Sequence, residues 1–195
     1  MSVAHPDPVY VSLEFTPNPN TLKYSVNRKL LTKGAANFTK KEKADGVSPL
    51  ASKLFDVPGI CGVMIGLDFV TVTKTEEGDW DTVHKNTSKT LEDHLNRQEL
   101  VVDETKLGAG AGHGGHAGGD TQIESRIREI LDNEIRPAVA MDGGDITFDR
   151  FEDGVVYLYL QGSCAGCPSS TMTLKQGIET RLKDAIPEVQ EVVSV

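Results

Sequence analysis

The chain has 195 residues, 38% of them hydrophobic and 25% charged, with a formal net charge of −9. That balance fits two small soluble units, and no apolar run reaches the roughly eighteen residues that a membrane span requires. An acidic surface without a lysine or arginine cluster disfavours nucleic acid and leaves proteins as the expected partners. Three cysteines, an odd number, argue against a disulfide framework and for a pair with a chemical task plus one bystander. Met1 to Pro8 lack the basic start and apolar run of a secretory signal and the arginines of a transit peptide, so a reducing, cytoplasmic location is expected.

In chain order, Val9 to Phe15 alternates apolar and polar with period two, the pattern of a half-buried strand. Thr16-Pro17-Asn18-Pro19-Asn20 interrupts it as a turn, and Thr21 to Val26 alternates again, able to pair back on the first strand. Asn27 to Val47 is basic and weakly patterned and reads as a loop with little regular structure. Ser48-Pro49 has the form of an N-cap with proline at the first helical position, followed by the stripe Leu50, Leu54 and Phe55 and a stop at Pro58-Gly59. Ile60 to Ile65 and Phe69 to Thr73, separated by Gly66-Leu67-Asp68, read as a second hairpin. Trp80, Val83, His84, Thr87, Leu91 and Leu95 recur every three or four residues, marking an amphipathic helix that ends near Gln98. Two hairpins and two helices give a small α+β unit over residues 1–102.

Residues 103–120 form a glycine-rich linker with a root-mean-square span of roughly 20–25 Å, expected to leave the flanking units free to reorient. His113 and His116 in it are spaced like metal ligands, but ordering such a chain around an ion costs entropy, so only weak adventitious binding is expected. Residues 121–195 form the second unit. Ile123, Ile127, Ile130, Leu131 and Ile135 trace one helical face, which Arg136-Pro137 ends or bends. Met141-Asp142-Gly143-Gly144-Asp145 is ordinary turn chemistry. Ile146 to Phe151 and Val155 to Leu160 pair around Glu152-Asp153-Gly154, Leu174, Ile178 and Leu182 align a further helix, and Val189 to Val195 closes the unit. The order is helix, strand, strand, helix, strand, with a right-handed crossover placing the last strand parallel to the one before the cysteines.

Between the second strand and that helix stands Gly162-Ser163-Cys164-Ala165-Gly166-Cys167-Pro168-Ser169-Ser170. Both sulfurs emerge from one tight turn, and Pro168 suits the first turn of a helix because its missing N–H has no helical partner there. The helix N-terminus beside Cys167 lowers thiol pKa and favours the thiolate, the form that binds metal or attacks a disulfide. Cys-x-x-Cys spacing alone admits a metal half-site, a zinc half-site or a thiol-exchange pair. Cys61, in an apolar strand-like run, reads as a small core residue rather than a further ligand.

The ordered set Arg136-Pro137, Asp142-Gly143-Gly144-Asp145-Ile146 and Gly162 to Ser170 resembles the NifU C-terminal domain family. Thr16 to Tyr24 and Gly66 to Lys74 resemble the Nfu N-terminal domain, so the chain is similar to Nfu-type iron–sulfur cluster carriers over both units. The resemblance implies an α+β fold of two small sandwich-type domains and a non-enzymatic carrier. It also implies a 4Fe-4S cluster bound by Cys164 and Cys167 between two subunits and passed to apo iron–sulfur proteins. Thiolates typically hold such a cluster four at a time, and one chain offers two at suitable spacing. A two-fold homodimer apposing identical turns supplies the rest most simply. Upstream cluster-assembly proteins are the other expected partners. Two further readings stand beside this one: a dithiol redox protein with Cys164 as exposed nucleophile, and a zinc-binding interaction adaptor.

Overall fold

The computed structural model describes residues 8–107, 121–165 and 168–195, the last segment by backbone alone at 168–170. His113, His116, Gly166 and Cys167 lie outside the described residues, as do 108–120 of the linker.

The first unit is a five-stranded sheet in the order β1-β2-β5-β4-β3, every pairing antiparallel. Its strands are β1 (Val11–Phe15), β2 (Thr21–Val26), β3 (Ala36–Phe38), β4 (Ile60–Ile65) and β5 (Phe69–Lys74). Three helices accompany them: α1 (Lys41–Ala44), α2 (Pro49–Phe55) and α3 (Trp80–Asn96). The caps form as their sequence signatures require, since Ser48 Oγ accepts from Ala51 N at 3.0 Å and Asp79 accepts from Thr82 N at 2.9 Å. Alternation puts Leu22, Tyr24, Val63, Ile65, Val70 and Val72 on one sheet face, in one core with Leu50, Leu54, Val83 and Leu91. Truncating such a residue, as in Leu54→Ala, costs about 2–5 kcal/mol.

The stretch 27–47, expected as loop, contributes β3 and α1. A three-residue edge strand and a four-residue helix are too short to impose a visible period; pairing with the edge of β4 orders β3, and α1 packs against α2.

The second unit begins with α4 (Gln122–Ile130), capped reciprocally by Thr121 and Glu124. A π-helical turn (Leu131–Ile135) follows and leads directly into α5 (Arg136–Met141). Arg136-Pro137 therefore does not end the helix. The wider π turn lies just ahead of the proline, whose ring would clash with the preceding turn of a regular α-helix. Strands β6 (Gly144–Glu152) and β7 (Val155–Gly162) form a hairpin, α6 (Pro168–Ala185) crosses over, and β8 (Glu191–Ser194) pairs parallel to β7, as expected. Its own core gathers Ile127, Val139, Ile146, Leu158, Ile178, Leu182 and Val192. The α+β class, with two units each built on its own sheet, is thus as expected.

The two units touch, which the expectation of free reorientation did not foresee. The sheet face of the first unit opposite its helices carries Lys23, Met64, Phe69 and Thr71, all buried. Ala140 of α5 packs on Met64 and Phe69, and Lys23 Nζ donates to Met141 O at 3.1 Å.

One buried group of the first unit has a titration consequence. His94 is 1% exposed, its Nε2 lies 3.0 Å from Leu100 O and its Nδ1 lies 3.2 Å from Lys53 Nζ. A neutral ring donating to Leu100 and accepting from Lys53 satisfies both nitrogens. Burial holds its pKa below the usual histidine value, with the Lys53 and Arg97 charges in the same direction and the Leu100 carbonyl and Glu99 opposing. The unfolded chain therefore takes up this proton first as pH falls, and stability declines from about pH 6.5 down to the depressed folded value. Urea unfolding between pH 7.5 and 5.5 should show a stability loss that is smaller in His94→Gln; equal losses in the two proteins would remove the assignment.

Candidate metal centre

The turn that carries the cysteines is built by the chain on either side of it. β7 ends at Gly162 with φ +62, where a Cβ would stand 2.6 Å from Gly143 O and 2.7 Å from Met64 Cε. Only glycine fits there, by conformation and by space. Ser163 N donates to Gly143 O at 3.1 Å, Ser163 Oγ donates to Asp142 O at 2.5 Å, and Ala165 N donates to Gly162 O at 3.1 Å. Thr171 Oγ1, in the first turn of α6, donates to Cys164 O at 3.1 Å. These bonds tie the turn to the Asp142-Gly143 corner behind it and to the helix ahead.

Cys164 points inward. It is 7% exposed and belongs to the second unit's core. Its Sγ lies so close to Gly144 that a Cβ on residue 144 would stand 2.3 Å from it. The sequence reading takes Asp142 to Asp145 as a turn. Gly143, at φ +77, serves that purpose, but Gly144 has a second one, leaving room for the sulfur. Beside the thiol opens a cavity of about 300 Å³ whose lining includes Ile135, Val139, Leu174 and Ile178 together with Pro17 from the first unit.

Electrostatics here run against the simple expectation of an activated thiol. Burial pushes the Cys164 pKa up to about 11, the nearby Asp142 and Asp145 charges adding to the rise and the Ser163 hydroxyl opposing it. The thiolate favoured by a helix N-terminus was expected at Cys167, which lies outside the described residues. Cys164 in this conformation is a protonated, packed side chain and not the exposed nucleophile of the thiol-exchange reading.

Arg136 and Asp145 brace the corner. Arg136 Nε and one terminal nitrogen each donate at 2.8 Å to a different oxygen of Asp145, which is 5% exposed, and a further bond of 3.0 Å reaches Asp132. This bidentate fork fixes the start of β6, and with it Gly144 under the sulfur. The Arg-Pro and Asp-Gly-Gly-Asp signatures foreshadow it in sequence, but the pairing itself needed the fold.

Cys61 is exposed and not the core residue expected, because a register shift between Ile60 and Gly62 in the β4–β5 ladder turns it out of the apolar run; its Sγ lies 3.4 Å from Thr73 O. Among the described residues no group of three or more His, Cys, Asp or Glu side chains could hold a metal ion.

Sequence comparison gives the context of this arrangement. Residues 127–193 match the NifU-like domain and residues 11–98 match the scaffold protein Nfu/NifU N-terminal domain. Similar proteins include the NFU1 iron-sulfur cluster scaffold homolog, mitochondrial, of Homo sapiens, 40% identical over 96% of this chain and 72% of that one. The NifU-like protein C1709.19c of Schizosaccharomyces pombe is 37% identical over 96% of this chain and 73% of its own. NifU-like protein 4, mitochondrial, of Arabidopsis thaliana is 37% identical over 94% and 65%. Among solved structures, a NifU-like protein from Saccharomyces cerevisiae aligns over 53% of this chain and 92% of its own, with 23% identity and a TM-score of 0.47. The cytoplasmic location expected from the first eight residues is overturned by the mitochondrial names of the human and Arabidopsis relatives. On two domain matches in the right order and a 40% identical relative covered over most of its length, the chain belongs to the family of NifU-like proteins with an Nfu N-terminal domain.

Proposed function

We propose that this protein is a scaffold that carries an iron–sulfur cluster as cargo, held by Cys164 and Cys167 of two copies and handed to apo-proteins. A scaffold role is supported by the relatives named as iron-sulfur cluster scaffolds. The observation that carries the residue assignment is the placement of Cys164 on a turn between β7 and the head of α6, with Cys167 next to the first residue of that helix. α6 begins at Pro168, directly after Cys167 in sequence, and the first turn of a helix carries N–H groups without helical partners and the positive end of the dipole, which offset the negative charge of a thiolate-ligated cluster. One turn supplies two sulfurs, and four are needed, so the second pair comes from a second copy. The cargo reading assigns 4Fe-4S as the cluster type, apo iron–sulfur proteins as acceptors, and no chemical turnover to the chain itself. The sulfurs hold and release the cluster.

For Cys164 to serve as a ligand it must leave its place against Gly144, lose its proton and turn outward. The protonated inward state is then the resting form of the cargo-free chain, and metal binding supplies the free energy that draws out the thiolate.

Anaerobic reconstitution of the full chain with iron and sulfide should give about four irons per two chains. Cys164→Ser and Cys167→Ser should each abolish uptake, and Cys61→Ser should leave it intact; unchanged iron in a Cys164→Ser, Cys167→Ser double variant would overturn the assignment. The inward packing is tested separately. Gly144→Ala crowds the sulfur and should cost about 1–3 kcal/mol in urea unfolding. In a Cys164→Ala background much of that cost should disappear, whereas an unchanged cost would show that Gly144 does not make room for the thiol.

A further inference from the structure

The contact between the two units bears directly on the cysteine turn. Asn18, in the Thr16–Asn20 turn of the first unit, is 4% exposed, and its Nδ2 donates to Ala165 O at 3.0 Å. Its Oδ1 is engaged at the same time by Asn20 N at 3.0 Å, which fixes the amide with its donor side towards Ala165. The residue after Cys164 is thereby held by the other unit. Beside it Pro17 shares the wall of the cavity that Cys164 borders. Lys23 Nζ reaches Met141 O at 3.1 Å, on the helix end that leads into the Asp142-Gly143 corner. A Cβ on Gly143 would stand 2.8 Å from Thr71 Cγ2 and 3.3 Å from Lys23 Cβ, and one on Gly162 would stand 2.9 Å from Met64 Sδ. The first unit's open sheet face thus lies on both strand ends from which the turn springs.

The contact has the character of one that opens. Two side-chain-to-carbonyl hydrogen bonds account for much of its polar pairing, and Thr71 Oγ1 is buried beneath Gly143 with no hydrogen-bond partner among the described residues. Separation would return that hydroxyl to water, a gain that offsets part of the lost packing. A cavity of about 410 Å³ remains between the units, bordered by Ala35 and Phe69 on one side and Pro137 and Ala140 on the other. Such incomplete packing leaves both walls short of dispersion contacts.

Cys164 is 7% exposed, Pro17 of the first unit lines the cavity it borders, and Asn18 holds the carbonyl of the next residue, so a second copy meets the first unit before it reaches the sulfur. We propose that the first unit is a clasp on the cysteine turn: with Asn18 on Ala165 and Lys23 on Met141 the cargo-free chain is held with Cys164 inward, and presenting Cys164 to a second copy requires the first unit to lift off. The inference rests on the carrier reading for its purpose, but the clasp itself is a property of the cargo-free chain.

The test uses the full cargo-free chain under reducing conditions. Asn18→Asp keeps the acceptor oxygen for Asn20 and removes the donor to Ala165, setting a carboxylate against that carbonyl. Carbon-13 labelled methionine methyls give a direct readout, because Met64 is 1% exposed under Gly162 whereas Met141 and Met172 are 76% and 71% exposed. In Asn18→Asp the Met64 methyl resonance should move towards the position of the exposed methionines, and amide exchange at Ser163 and Ala165 should quicken at least tenfold. Exchange in the first unit's core strands at Tyr24 and Val72 should stay as in the wild type, which separates release from unfolding. Lys23→Met, which removes the Met141 bond while keeping an apolar stem over the sheet, should give a change in the same sense. A wild-type Met64 signal and unchanged exchange at Ser163 and Ala165 in both variants would overturn the clasp. Failure of the wild type to take up iron would count against the carrier reading and would leave this result standing, since no arm of the test needs the cluster.

Discussion

The sulfur of Cys164 occupies the space that a side chain on residue 144 would need, and much of the second unit is arranged around that close approach. The Arg136–Asp145 fork fixes the start of β6, Gly143 turns the corner at positive φ, and the Ser163 hydrogen bonds to Asp142 and Gly143 fold the turn back on it. Removing any one of these loosens the place where the thiol rests. The outcome is a thiol held in protonated form inside a small core, its pKa pushed by burial up to about 11, on the turn that leads to the start of α6. Storage of that kind protects a thiol from oxidation and adventitious metals, since reactivity follows thiolate character and exposure.

A sheet with one face on its own helices has a second face to cover. In the first unit that face bears Met64 and Phe69 among polar neighbours, and the second unit covers it with Ala140, Gly143 and Gly162. Glycines at this contact let backbone approach side chains closely, so the packing is intimate in places while the hydrogen bonds holding it are few. A carrier must keep its ligands from the wrong partner and yield them to the right one. On the proposed carrier reading, an intramolecular cover held at high effective concentration would meet the first need and, being displaceable, the second.

Much of this was legible in the sequence, for physical reasons. Strands β1, β2 and β7 announced themselves by alternation, β4 and β5 as apolar or β-branched runs around Gly66-Leu67-Asp68, β6 by its turn at Glu152-Asp153-Gly154, α2 and α4 by caps or apolar faces, and the cysteine turn by two glycines and a proline between a strand and a helix. Three features were not legible. β3 is ordered by its neighbour and has no period of its own. The helix runs through Pro137 because a π turn precedes it, and nothing local in Leu131 to Ile135 signals that geometry. Cys61 faces outward because a register irregularity reverses the alternation that would have buried it. The inward thiol was hidden for another reason: Cys-x-x-Cys spacing states that two sulfurs share a turn, but which way Cys164 points depends on the missing Cβ of Gly144, twenty residues earlier and across a hairpin. Asn18 could be read as a turn residue from its prolines, while its bond to Ala165 spans 147 positions.

The central claim is that function resides between two copies of the chain, with each turn supplying half of the ligands. Native mass spectrometry of the anaerobically reconstituted protein measures this directly, because chain count and bound inorganic mass are read in one spectrum. The account predicts that the coloured species has the mass of two chains plus one 4Fe-4S cluster and that it is lost in Cys164→Ser. A loaded species of one chain, or two chains bridged by zinc alone, would contradict it.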